Sequence, residues 1–201
     1  MAVALLHWIA FSLSALIAPR TTPAPEVVWI DLAGLPGLAQ EAARSEAADV
    51  LQSVGLSPRW RVGQANDVLG AHELPVVLLR RDHSARRGAA RVLGACAPRS
   101  ASPRAWVYLE NLAWVMGVPT HDGAMTVEQM MRLGRAIGRI VAHEVIHAVA
   151  PAVGHSRSGV MAARFDRSDL LSGRLAVDAA TRRSVQAVLA VARASATPPR
   201  S

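Results

Sequence analysis

The order of periodic segments predicts an α+β domain: a small twisted mixed β-sheet, one long helix and a C-terminal helix. Three observations predict it. Short β-branched runs dominate the first half of the chain. A long run of helical period fills 126–148, and a second one fills 178–194 near the end. No internal repeat interrupts this order.

Taken in turn, "EVVWIDL" (26–32) is short and β-branched and reads as a strand. "LPG" then turns the chain. Residues 37–55 read as a helix, because Leu38, Ala42, Ala48, Leu51 and Val54 recur at helical spacing and Gly55 stands where a C-terminal cap belongs. "PRWRVG" (58–63) alternates like a strand, and "LPVVLLRR" (74–81) is the continuous apolar run of a buried one. Residues 82–103 read mainly as loop, with room for a short strand near Val92. "RAWVYLENLAWVM" (104–116) begins as a strand, and its second half fits strand or helix. Thr126 and Gln129 form a capping-box pattern ahead of the long helix, which Pro151 stops.

At 201 residues the chain is one domain's length, enough to bury about two thirds of its unfolded surface. The net charge of +7 comes from 22 arginines with no lysine. They are scattered and aromatics do not interleave with them, so nucleic-acid binding is not expected. Cys96 is the single cysteine, which excludes an internal disulfide and reads as a small buried hydrophobe.

Residues 2–18 are apolar and uncharged, and a proline-rich stretch follows. This resembles a secretory signal, although no basic residue precedes Arg20. Residues 1–25 are expected to be a signal peptide or N-terminal anchor plus linker, with cleavage between Ala18 and Ala24. Residues 26–195 would form the domain and 196–201 a tail. The expected location is secreted or periplasmic, with membrane attachment only through the N-terminal segment.

The chemistry concentrates in "AHEVIHAVAPAVGHSRSGVMAA" (142–163), which holds three of seven histidines. Four residues of helix leave His143 and His147 about 40° apart around the axis and roughly 6 Å along it. Two imidazoles so placed can converge on one ion. Glu144 projects to the side, where it reaches a water without taking its place. That is the logic of His-Glu-x-x-His: two metal ligands and a general base. The surrounding helix is strongly apolar, so burying these ionisable groups without a purpose would be costly. A catalytic zinc usually takes three protein ligands. No glutamate follows Glu144, which leaves His155, Asp166, Asp169 and Asp178. His155 is nearest: Pro151 ends the helix, and Gly154 can take positive φ and fold the chain back. His72, His83 and His121 read as surface histidines.

With these residues the segment resembles the metzincin clan of zinc metallopeptidases, and "GHS…M" its matrixin form in particular. The resemblance covers about 20 residues, 143–161. It implies a zincin-like fold, a Zn2+ ion on His143, His147 and His155, Glu144 as base, and Met161 in a Met-turn beneath the metal. It implies an endopeptidase acting on peptide or protein substrates, with "RAWVYLE" (104–110) as the strand to which substrate adds. Seven residues separate His147 from His155 where the family has five, and Ala150 with Pro151 stands at the family's glycine, so the chain looks compact and divergent. The alternatives are a zinc-binding domain without peptidase activity and a helical interaction protein. Glu144 separates them, because a mere binder has no need of it. Arg157 and Arg164 near the motif receive no role from the sequence.

Overall fold

The computed structural model describes residues 25–70, 72–81, 92–98, 103–119 and 125–195. His83, His121, the apolar N-terminal run and the tail lie outside them. Five strands form one mixed sheet in the order β2-β1-β3-β5-β4. They are β1 (Glu26–Asp31), β2 (Arg59–Val62), β3 (Glu73–Leu79), β4 (Gly94–Cys96) and β5 (Ala105–Tyr108). All pairings are parallel except β4 with β5. The helices are α1 (Gly37–Ser53), α2 (Leu109–Met116), α3 (Val127–Val149), α4 (Arg167–Leu171) and α5 (Ala179–Ser195). No helix among the described residues is long and apolar enough to cross a membrane.

A parallel strand buried on both faces reads as an unbroken apolar run, and β1 comes nearest to this, whereas burial in β3 is fullest on alternate residues. Val27 to Ile30 in β1 are all buried, as are Leu74, Val76 and Leu78 in β3. The Asp31 carboxylate then accepts the backbone N–H groups of Ala33, Gly34 and Leu35, which closes the turn into α1. Gly55 follows α1 at φ 86°, as its sequence position predicts. The ambiguous half of 104–116 is helix α2, capped by Gly117 in the left-handed region.

The buried stripe of α1 is not the one the larger apolar residues suggest. Leu38 is exposed, and Ala39, Ala43 and Ala47 are fully buried instead. The reason lies across the interface, where Gly134 and Gly138 of α3 meet them. A methyl group on Gly138 would collide with the Ala43 carbonyl and come within 2.8 Å of the Glu46 Cβ. Small faces on both helices thus allow backbone-to-backbone approach. Helix propensity alone would have Gly138→Ala gain about 1 kcal/mol. We expect a loss of roughly 1–3 kcal/mol instead, because overpacking outweighs propensity here; chemical denaturation would read the sign.

Helix α3 begins with the capping box Thr126–Gln129, both hydrogen bonds of which are present. It runs through the core against α1, β4 and β5. Arg139 on this helix is fully buried. Its Nε donates to Glu46 of α1 at 2.7 Å. Its Nη atoms donate to the carbonyls of Asp169, Ser172 and Gly173 and to the Ser172 Oγ. All five guanidinium N–H groups can thus be satisfied, and one side chain ties α1, α3 and the end of α4 together.

Candidate metal centre

The last two turns of α3 carry His143 and His147 on one face, and the chain beyond returns His155 to them. Their ring centroids are 4.7 Å apart for His143 and His147, 5.2 Å for His143 and His155, and 4.8 Å for His147 and His155. One ligand nitrogen from each lies within 4.8 Å of the other two. Nε2 of His147 and Nε2 of His155 approach to 3.1 Å. Tetrahedral coordination with bonds of 2.0–2.1 Å sets neighbouring ligand nitrogens about 3.3 Å apart. The donor set fits a divalent ion that prefers imidazole.

The connection to His155 differs in detail from the sequence expectation. Gly154 is not at positive φ. The bend is made earlier: Ala150 caps α3 through its N–H to the Ile146 carbonyl, and the Val153 N–H bonds back to the Ala150 carbonyl at 2.9 Å. This turn around Pro151 absorbs the long spacer between the second and third histidines. The segment after His155 folds under the helix. Ser156 N–H donates to the Met161 carbonyl at 2.7 Å, and Ala163 N–H to the Ser156 carbonyl at 3.2 Å. Gly159 sits at φ 80° against the Ala176 carbonyl, a place no larger residue can take. The Met161 side chain is fully buried.

This turn also orients the first imidazole. His143 Nδ1 lies 2.8 Å from the Val160 carbonyl, which fixes it as the protonated nitrogen and leaves Nε2 with its lone pair outward. Burial, with the nearby His147 and His155, lowers the His143 pKa to about 4 despite the raising effect of that hydrogen bond. Burial and then His155 lower His147 as well. Both rings are therefore neutral at neutral pH, the state that binds metal. The three aspartates that competed for the third place are engaged elsewhere. Asp166 and Asp169 form a capping box on α4, and Asp178 accepts the N–H and hydroxyl of Thr181 at the start of α5. His72 is exposed and apart from the cluster.

Glu144 is buried beside the histidines at 6% exposure. Strand β4 covers it. A methyl group on Gly94 would stand 2.8 Å from Glu144 Oε1 and 2.6 Å from Ile140 Cγ2. The Cys96 thiol hydrogen-bonds the same carboxyl. Burial raises the Glu144 pKa from 4.5 to about 7, against the lowering effect of Cys96. In metal-free protein the unfolded chain then releases this proton first as pH rises. Stability is lost from pH 4.5 through 7. Glu144→Gln should accordingly stabilise the metal-free chain little below pH 4.5 and by on the order of 2–3 kcal/mol above pH 7. Denaturation with chelator present, at a series of pH values, measures this.

Two readings of the sequence need correction. Cys96 is half-buried and lines the cleft, with its thiol pushed up to about 12, chiefly by burial and then by Glu144. The strand 104–110 cannot accept a further strand, because β5 is interior, paired by β3 on one side and β4 on the other. Among the described residues the sheet edge beside the cleft is β4. The cleft has a volume of about 770 Å³, and Gly94, Ala95 and Cys96 form one wall. Phe165 packs edge-on against His143 at 5.6 Å on the other.

Fold and cleft together define an α+β domain with three metal-ready imidazoles on and just past its central helix. No protein-family model matches the chain, and no curated protein sequence does. Solved structures do match in fold. A zinc-dependent peptidase from Methanocorpusculum labreanum (strain Z) superposes with TM-score 0.54 at 16% identity, over 79% of this chain and 99% of that one. Archaemetzincin from Methanopyrus kandleri superposes with TM-score 0.55 at 14% identity, over 87% of this chain and 99% of that one.

Proposed function

We propose that the chain is a zinc-dependent peptidase whose metal ligands are His143, His147 and His155. The observation that carries this reading is one cleft that holds three converging imidazoles and a buried carboxylate. The likeness in fold to two structures, one described as a zinc-dependent peptidase and the other as an archaemetzincin, supports it. Bound there, zinc would supply Lewis acidity, polarising a peptide carbonyl and acidifying a water.

The chain's own residues do the rest. The Val160 carbonyl holds the His143 ring in one tautomer. Glu144 accepts the proton of the attacking water and passes it to the leaving amine, which requires a group able to hold a proton near neutral pH. In the metal-free protein burial raises its pKa toward that range. Ile140 of α3 and Gly94 of β4 close over the carboxyl and limit water around it. Among the described residues β4 pairs only with β5, and its other edge offers backbone groups to an extended substrate, which favours internal cleavage over trimming of ends. The turn 156–163 plays the part of a Met-turn: its Val160 carbonyl steadies a ligand and buried Met161 fills the space below.

A zinc-binding domain without peptidase activity would not be expected to shelter a carboxyl at this place. Metal analysis and hydrolysis of an unstructured protein separate the two. We expect about one zinc per chain in wild type, zinc bound far more weakly in His155→Ala so that excess metal is needed to load it, and hydrolysis that chelator abolishes and zinc restores. Stoichiometric zinc without hydrolysis of any peptide would refute the enzyme reading.

A further inference from the structure

The cleft holds one charged side chain that the mechanism leaves without a task. Arg164 lines it together with Glu144 and the three histidines. It is exposed and makes no hydrogen bond or ion pair with any described residue. The acids closest in sequence form no ion pair with it; Asp166 and Asp169 accept each other's backbone N–H groups in the cap of α4. Its backbone is held firmly. Ala163, before it, is bonded to the Ser156 carbonyl, and Phe165, after it, packs on His143. Opposite stands β4, with no charged residue. Apart from Glu144, Cys96 and the histidines, the other lining residues are apolar or glycine.

We propose that Arg164 is a specificity-determining residue that binds a carboxylate of the peptide next to the scissile bond. This rests on the peptidase reading. A free guanidinium on a fixed backbone, over an apolar floor, offers two parallel N–H groups to a carboxylate. A dication on the histidines would add to the positive potential of the cleft and draw acidic peptides into it. That carboxylate comes from a Glu or Asp side chain, or from the C-terminus of a short substrate. Arg164 stays exposed to water, so the expected preference is modest, about three- to tenfold.

The test uses one cleavable peptide in four forms: Glu or Gln flanking the scissile bond, each with a free or an amidated C-terminus. The wild-type protein should show a kcat/KM ratio of about three to ten in favour of the carboxylate form. The Glu/Gln pair or the free/amide pair will carry that ratio and so identify the source. The ratio should fall to about one in Arg164→Gln and invert in Arg164→Glu. A wild-type ratio of one, or a preference that survives Arg164→Gln, overturns the proposal. The same peptides are titrated onto zinc-loaded Glu144→Gln protein, with and without Arg164→Gln, by fluorescence anisotropy. This arm reads the affinity ratio without hydrolysis. If no peptide is cleaved but the ratio appears and depends on Arg164, the enzyme reading fails and the carboxylate site stands. If peptides are cleaved and the ratio is absent, the reverse holds.

Discussion

Glu144→Gln should leave one zinc bound per chain and lower kcat for peptide hydrolysis by about 10²–10⁴. The amide keeps the shape and burial of the carboxyl but cannot take the proton of the attacking water. KM should change far less, because the side chain contributes to the reaction rather than to holding the peptide. The same substitution should raise the stability of metal-free protein above pH 7, since it removes a carboxyl that burial makes costly to ionise. Opposite signs on activity and stability are what a residue kept for chemistry predicts. Activity in the variant within twofold of wild type would remove Glu144 from the mechanism.

Arg139→Met should cost about 3–5 kcal/mol, because it strands three carbonyl groups that the guanidinium satisfied and leaves Glu46 with only its longer contact to Arg135 at 3.5 Å. For a domain of this size that corresponds to a fall on the order of 10 °C in Tm. Arg139→Lys should rescue little of it, since an ammonium has three donors and no planar fork. Calorimetry on the zinc-loaded forms checks both. The consequence reaches the cleft, because Arg139 lies one turn before His143 on α3. A variant that melts with wild-type stability would mean that the loop at 169–173 finds other partners.

What the sequence made legible was local. The capping box at Thr126, the helical period through Val149 and the stop at Pro151 all act within a few residues, and α3 follows them. The placement of His143, Glu144 and His147 follows from helix geometry alone. His155 required the chain to turn back, which the proline announced, although the turn forms at Ala150–Val153 rather than at Gly154. What stayed hidden depends on contacts between distant segments. Only a short strand near Val92 could be expected; β4, at Gly94–Cys96, is three residues long, too short for a period to give its bounds, and exists because β5 pairs with it. Cys96 comes to Glu144 only through that pairing. The buried alanines of α1 make sense only against Gly134 and Gly138. Arg139 stood in plain view as a charge in the most apolar stretch of α3, but its partners lie on α1 and beyond α4.

The central claim is that three imidazoles share one ion. X-ray absorption at the zinc edge of the purified protein tests it most directly. The account predicts three nitrogen scatterers at about 2.0–2.1 Å with the imidazole multiple-scattering pattern, one of them lost in His155→Ala. A sulfur scatterer at about 2.3 Å, placing Cys96 on the metal, or a spectrum unchanged by His155→Ala, would contradict it.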